Sequence, residues 1–369
     1  MSAGGPARRM ARNACVPPGT DGMRAGDVFA GGQRAFLAAD VGGTHARLGL
    51  VGFGPGRGEP DVLASRVYRC ADHAGLDAIV RAFCEQFAIR PHGLALACAG
   101  FLHEGRVVNS NLAWPIVPAA LEQALALDEV CVLNDFEALA HATVHIGSDG
   151  SMPVHVPQRA SGASAGPVVV VGPGTGLGVA VRLPGPSPRV LATEAGHVQL
   201  AARAGLEQQV LRELAAADTH VPCERVLSGP GLLRLYRALC SLGRKPVVFD
   251  EPAAVTAAAC AGEDELAIAA LQLFCGWLGS FAGDLAMLYG ASGGVYLAGG
   301  FLSRMIGFMR DSAFVARFLD KGVMRPFLQT VPVQVVDHGL LGVIGAASWM
   351  MERRASAPSA PPPAGRGAR

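Results

Sequence analysis

The sequence predicts an α/β protein, and three observations carry the prediction. Short β-rich runs alternate with helical patterns from about residue 35 to residue 354. Half of the 369 residues are hydrophobic, largely alanine and valine, with a mean hydropathy of +0.32, enough for a sizeable core. Two stretches also repeat one pattern: "FLAADVGGTHARLGLV" from Phe36 and "VVVVGPGTGLGVAVRL" from Val168 each run apolar strand, glycine-threonine turn, apolar strand. That echo suggests two related domains facing each other across a cleft.

The elements follow in order. Residues 1–34, rich in Gly, Ala, Pro and Arg without periodicity, read as a disordered leader. Strands are expected at Phe36–Ala39, Ala46–Gly52, Gly93–Ala97 and Val130–Leu133, with a helix near Leu76–Ala88. The Gly/Ser/Pro-rich passage "GSDGSMPVHVPQRASGASAGP" (147–167) reads as a separator. Beyond it, Ser228 is a candidate N-cap for a helix over 230–242. A long helix over 264–289 leads into the strand of "GGVYLAGGF", and a last helix covers 339–352. The expected organisation is a smaller domain of residues 35–145 plus about 337–352, a larger domain of 146–336, and a disordered tail at 355–369.

Composition excludes several classes. The formal charge is +1, the only lysines are Lys245 and Lys321, and no basic block interrupts the ordered region, so nucleic acid is not an expected partner. Nine scattered cysteines without a Cys-x-x-Cys pair point to reduced thiols in a cytoplasmic protein, not to a disulfide scaffold or a zinc site. The leader has no apolar segment of signal-peptide length. The apolar stretch Glu265–Tyr289 contains Asp284 and three glycines, which suits a buried helix better than a membrane span.

The motifs carry the chemistry. In Asp40-Val-Gly-Gly-Thr44 a hairpin turn and a phosphate cradle both fit. Gly42 and Gly43 would let backbone N–H groups approach an anion, and Thr44 would add a hydroxyl. Asp40 beside phosphate makes sense through the water shell of Mg²⁺. No Gly-Lys dipeptide and no G-x-G-x-x-G occur, which excludes a Walker A loop and counts against a dinucleotide fingerprint. Gly172-Pro-Gly-Thr-Gly-Leu-Gly178 holds four glycines in seven residues, more than turn geometry needs, so Gly174, Thr175 and Gly176 are candidate phosphate contacts. Gly299 and Gly300 after the late strand fit either a flat ligand base or core packing.

In "VCVLNDFEALAHA", Asp135 ends a strand and starts a helix, where α/β sheets bind ligands. It reads equally as an N-cap and as a general base for a hydroxyl proton, with Asn134 as a sugar partner. Glu194 and His197, three apart in "ATEAGHVQL", are placed to converge on one polyol. Glu224 precedes a helix and reads as a cap, a solvated side chain or a ligand contact, and Asn111 in "NSNLAW" as a loop contact.

Taken in order, "DVGGTHAR", "LNDFEALA", "GPGTGLGVA", "EAGHVQL", "ERVLSGPGLLRLYRA" and "GGVYLAGGF" resemble the bacterial glucokinases of the ATP-dependent hexokinase type, over about residues 36–350. The resemblance implies a two-domain actin-like ATPase (ribonuclease H-like) fold with a central cleft, ATP with Mg²⁺ as phosphoryl donor, and glucose as acceptor in glycolysis. It implies Asp135 as catalytic base, with Asn134, Glu194, His197, Glu224 and Asn111 on the other sugar hydroxyls. Asp40, Gly42, Gly43, Thr44, Gly174, Thr175 and Gly176 would meet the phosphates and hydrated metal, and Gly299 and Gly300 the adenosine. A homodimer is suggested by the resemblance alone. A related group of sugar kinases and repressors carries a cysteine cluster after its Gly-His motif; "GHVQLAARAGLEQQ" has none, and the leader has no helix-turn-helix pattern. Three residues depart from the family pattern: His45 stands for asparagine, Ala195 for glycine and Gln199 for aspartate. The rival readings are a kinase of another hexose, a catalytically weak sugar sensor, and an actin-like ATPase acting on proteins.

Overall fold

Strand β1 (Phe36–Val41) is buried along its whole length, the pattern of a strand covered on both faces. It pairs antiparallel with β2 (His45–Phe53) and parallel with β4 (Gly93–Cys98). With β3 (Pro60–Arg69) and β7 (Glu129–Asn134) these make a five-stranded sheet in the order β3-β2-β1-β4-β7. A small hairpin, β5 (Phe101–His103) and β6 (Arg106–Val108), follows β4. Helix α1 (Leu76–Phe87) presents Leu76, Ile79, Val80 and Phe83, spaced on one helical face, to a core that includes Leu37, Leu48 and Leu94. Helix α2 (Pro118–Leu125) starts on a proline, whose missing N–H costs nothing at a first turn. This computed structural model describes residues 36–53, 60–108, 112–147, 150–157, 166–215, 220–337 and 339–356.

Two compact units divide between Val132 and Leu133, inside β7. The second unit opens with α3 (Asp135–Ala142). Its sheet has six strands: β8 (Ser151–His155), β9 (Val168–Pro173), β10 (Leu177–Leu183), β11 (Arg189–Thr193), β12 (Gly294–Ala298) and β13 (Val333–Val336), in the order β11-β10-β9-β12-β13-β8. The echo in the sequence is thus a topological repeat. In each sheet an antiparallel three-strand meander (β1-β2-β3, β9-β10-β11) is extended beyond its first strand by further strands, the adjoining one (β4, β12) parallel to it. In each, a three-residue turn, 42–44 or 174–176, joins the first two strands.

β8 lies inside the passage read as a separator. Its Gly, Ser and Pro content hid it, but Met152 and Val154 alternate into the core and Pro153 is tolerated because the strand is at the sheet edge. The helices are α4 (Leu206–Ala215), α5 (Gly229–Leu242), α6 (Pro252–Ala261), α7 (Glu265–Tyr289), α8 (Ile306–Asp311), α9 (Phe314–Leu319), α10 (Arg325–Leu328) and α11 (Leu341–Ser356). Ser228 caps α5 as expected, its hydroxyl accepting from Gly231 N at 3.0 Å. Helix α7 is the one helix among the described residues long and apolar enough to cross a membrane, and two-thirds of that stretch is buried in the protein. Its glycines admit α9: a Cβ on Gly279 would stand 2.2 Å from Phe314 O, and one on Gly283 2.7 Å from Phe318 O. A buried pair, Arg317 to Glu207, ties α9 to α4.

Helices α3 and α11, grouped with the smaller domain on sequence, fall on the far side of the division. The reason is packing: Gly345 of α11 sits against Ala138 O of α3, and Leu139 and Ala140 pack with Val170 and Ala180 of the second sheet. Helix α11 runs to Ser356, past the expected start of the tail. The leader at 1–34, residues 357–369 and Asn111 lie outside the described residues.

Helices α1 and α2 end on Ala88 and Ala126, with φ of 50° and 52°, where glycine is the unstrained choice. Relief of the Cβ strain exceeds the entropy glycine adds to the unfolded chain. Ala88→Gly and Ala126→Gly are each expected to stabilise the protein by about 0.5–1 kcal/mol, read as a raised melting temperature.

Candidate functional site

The turn after β1 is closed by backbone, with Gly42 N donating to His45 O at 3.0 Å and Cys70 N to Thr44 O at 2.9 Å. Asp40 is buried, 3% exposed, and faces Arg47 across the β1–β2 ladder, with Arg47 Nη1 3.4 Å from its carboxylate. The sequence reading singled out the aspartate and missed its partner. An arginine seven residues on becomes a neighbour only when a three-residue turn sets the register. Thr44 is exposed at the turn.

At the start of α3 the N-cap is not Asp135. The N-cap is Asn134: its Oδ1 accepts from Phe136 N at 2.9 Å and Glu137 N at 3.4 Å, while Glu137 Oε2 accepts from Asn134 N at 3.0 Å. This capping box was legible as Asn-x-x-Glu. The Asp135 carboxylate stands in the first helical turn and accepts from Phe136 N at 3.0 Å.

The β9–β10 turn gathers the other candidates. Gly174 and Thr175 are exposed at its tip, and Gly174 N donates to Gly176 O at 2.8 Å. Glu224 is neither a helix cap nor a solvated side chain. Its Oε2 accepts from Leu177 N at 2.9 Å and closes over Gly176, where a Cβ would come within 2.6 Å of that oxygen. Gly229 N donates to Gly174 O at 2.8 Å, so the start of α5 also holds the turn.

Glu194 and His197 do converge: Glu194 Oε2 lies 3.8 Å from His197 Nε2, and both side chains are exposed. Gly196 lets this loop approach β10, since a Cβ there would stand 2.3 Å from Leu177 O. Residues 198–200 then pair with 221–223 through Leu200 N to Val221 O at 2.8 Å and Cys223 N to Val198 O at 2.9 Å, which brings the His197 and Glu224 segments together. His220 supports both sides, with Nδ1 2.7 Å from Gln199 Oε1 and Nε2 3.1 Å from His197 O. Nothing local in the sequence pointed to His220. Burial, with Asp284 adding to it, pushes the neighbouring Cys223 thiol up to about 12, which keeps it neutral. A recess of about 340 Å³ is lined by Glu194, Gln199, Ser280 and Asp284 together with the apolar Trp277 and Phe281.

The glycines divide by what surrounds them. Gly172 and Gly178 face the Phe136 ring, Gly176 faces Glu224, and a Cβ on Gly299 would lie 2.7 Å from Pro173 O. Gly299 therefore serves packing. At Gly174 and Gly300 a Cβ would meet nothing within 4 Å, and at Gly42 only His45 O at 3.7 Å. None of these three has a φ in the left-handed region. The protein itself gives no steric reason for glycine at 42, 174 or 300.

Comparison with known proteins places this arrangement. A solved glucokinase from an Antarctic psychrotroph aligns with a TM-score of 0.76 at 36% identity, over 85% of this chain and 98% of that one. The fold is that of the sugar kinases of the actin-like ATPase class. A family model described as Glucokinase matches residues 37–353. A glucokinase-like protein of Xylella fastidiosa (strain Temecula1) is 45% identical over 87% of this chain and 96% of its own, and a glucokinase of Saccharophagus degradans is 36% identical over 85% and 98%. The chain belongs to the glucokinase family.

What holds α3, and with it Asp135, can be tested through α11. Glu352 Oε2 lies 3.0 Å from His141 Nδ1 of α3, and its Oε1 3.4 Å from Arg182 Nη2 of β10. Burial by itself would raise the Glu352 carboxyl, but His141 and Arg182 outweigh it and hold the group below its usual value of 4.5. A depressed folded pKa means stability that is present above pH 4.5 and lost as pH falls through the folded value. Glu352→Gln is expected to lower the melting temperature at pH 7, with the gap to wild type closing toward pH 3.

Proposed function

We propose that the protein is a glucokinase that transfers the γ-phosphoryl group of ATP to the 6-hydroxyl of glucose, giving glucose 6-phosphate and ADP. The observation that carries it lies in the β9–β10 hairpin. Its turn carries Gly174, for which the protein gives no steric cause, and the residues flanking the turn meet both Glu224 and the neighbour of Asp135.

In this reading Asp135 accepts the proton of the attacking hydroxyl, a task for a carboxylate within hydrogen-bond reach. Asn134 meets a second hydroxyl. Glu194 and His197 take neighbouring hydroxyls, Glu224 presents Oε1 while Oε2 stays on Leu177 N, and Asn111 adds a loop contact. Neutral and acidic hydrogen-bonding groups suit an uncharged polyol, and a buried partner left unpaired costs about 1–3 kcal/mol, which is the source of sugar choice. N–H groups of Gly43 and Gly176, with the hydroxyls of Thr44 and Thr175, receive phosphate oxygens, while Gly42 and Gly174, whose N–H groups close their own turns, let the phosphates approach without a Cβ in the way. Gly300 and the adjoining Gly299 flank the adenosine. The burial of Asp40 and its Arg47 partner suit contact with Mg²⁺ through water rather than direct ligation. The metal would offset the triphosphate charge. His45, whose carbonyl closes the turn, would donate a side-chain hydrogen bond near the phosphates in place of an asparagine amide. A glycolytic role in the cytoplasm accords with the eight free cysteines among the described residues, and a homodimer with the family resemblance.

Asp135→Asn is expected to keep the melting temperature and glucose binding by calorimetry while kcat falls by about 10²–10⁴-fold. ADP release measured with glucose, fructose and mannose separates glucokinase from a broader hexose kinase. Tight glucose binding with background ADP release in the wild type would mark a sensor instead. Gly174→Ala is expected to leave the melting temperature unchanged and raise the ATP KM about tenfold, about 1.4 kcal/mol, because the added methyl would stand where the phosphates approach the turn. Gly176→Ala, which pushes on Glu224, is expected to cost about 1–2 kcal/mol of stability.

A further inference from the structure

The Phe136 ring occupies the space two side chains would fill. A Cβ on Gly172 would stand 2.3 Å from its Cε1 and 2.4 Å from its Cζ, and one on Gly178 1.9 Å from its Cε2 and 2.0 Å from its Cδ2. These two glycines are direct partners in the β9–β10 ladder. The ring therefore lies on bare backbone at the base of the hairpin and meets both strands at once. Around it stand Leu139, Ala140, Val170, Ala180 and Ala298, an apolar cluster joining α3 to the second sheet. Phe136 directly follows Asp135, and its own N–H is held by both Asn134 Oδ1 and Asp135 Oδ1.

We propose that Phe136 is a positioning residue for the reaction, seated in a socket made by Gly172 and Gly178, and that this seat sets Asp135 relative to the β9–β10 turn. The inference rests on the glucokinase reading of Asp135. Two of the four glycines in the turn motif are thereby assigned to a ring from another segment, not to phosphate. The base carboxylate through Phe136, Glu224 through Leu177 N, and the turn at Gly174–Gly176 all take their coordinates from one strand pair. Phosphoryl transfer depends on alignment, and a displacement of about 1 Å costs about 100-fold in rate.

The test uses Phe136→Leu, which stays apolar but cannot lie flat in the socket, together with Gly178→Ala, which displaces the ring. Each is expected to lower kcat about 10- to 100-fold with KM for glucose and ATP within about threefold, and to speed hydrogen exchange at the Phe136 and Glu137 amides. Phe136→Ala is expected to lose kcat in the same way, and adding Gly178→Ala to it costs no more, since the ring Gly178 accommodates is gone. Unchanged kcat per folded molecule in Phe136→Leu, or additive losses in the double variant, would overturn the proposal and leave Phe136 a core residue. The exchange measurement needs no turnover. Faster exchange in a protein whose wild type phosphorylates no hexose would overturn the glucokinase reading, and the positioning role with it, while leaving the socket as a structural fact.

Discussion

The antiparallel pairing of Val168–Pro173 with Leu177–Leu183 is the interaction on which the second unit depends. Residues Val169, Val171, Val179 and Val181 point one way into the large core with α5 and α7. Val170 and Ala180 point the other way, toward α3. A strand pair buried on both faces cannot shift by one residue without moving each set to the wrong core. Its ladder fixes Glu224 through Leu177 N, the start of α5 through Gly174 O, the Glu194–His197 loop through Leu177 O, and α3 through Phe136. Every described candidate of the second unit except Gly300 is thus one contact or less from that hairpin or its Pro173 carbonyl.

Close approach of backbone recurs as the means of assembly. Gly345 against Ala138 O, Gly279 against Phe314 O, Gly196 against Leu177 O and Gly299 against Pro173 O each mark a place where an added methyl would force two elements apart. The interior is dense enough that such a shift propagates. Much of the glycine content of the motifs therefore serves packing. At 42, 174 and 300 the protein supplies no such close approach.

The buried charges follow the same economy. Asp40 with Arg47, Glu207 with Arg317, and Glu352 with His141 and Arg182 each join separate elements rather than neighbours in a helix. Breaking one partner of such a pair leaves a desolvated charge, so these contacts specify which elements meet more than they add net stability. The His220 contacts to Gln199 and the His197 carbonyl act likewise on a smaller scale at the loop carrying Glu194.

The sequence by itself determined the alternation of strands and helices, the Ser228 cap, the buried character of α7, and the two glycine turns, because period, capping chemistry and turn residues act over a few positions. It also placed Asp135 at a strand-to-helix junction and Glu194 near His197, since those relations are local. It passed over β8, whose strand character comes from an edge position against β13 and not from its own composition. It weighed Asp135 as the cap of α3 and passed over Asn134, although Asn-x-x-Glu held the answer. Only the tertiary structure decided that α3 and α11 pack together, that Glu224 braces a turn 47 residues away, and that the Phe136 ring lies against Gly178 and, with Ala298 O, against Gly172. A glycine in sequence records that a side chain is absent. What fills the space it leaves is set by elements far along the chain, and that is known only once they have packed.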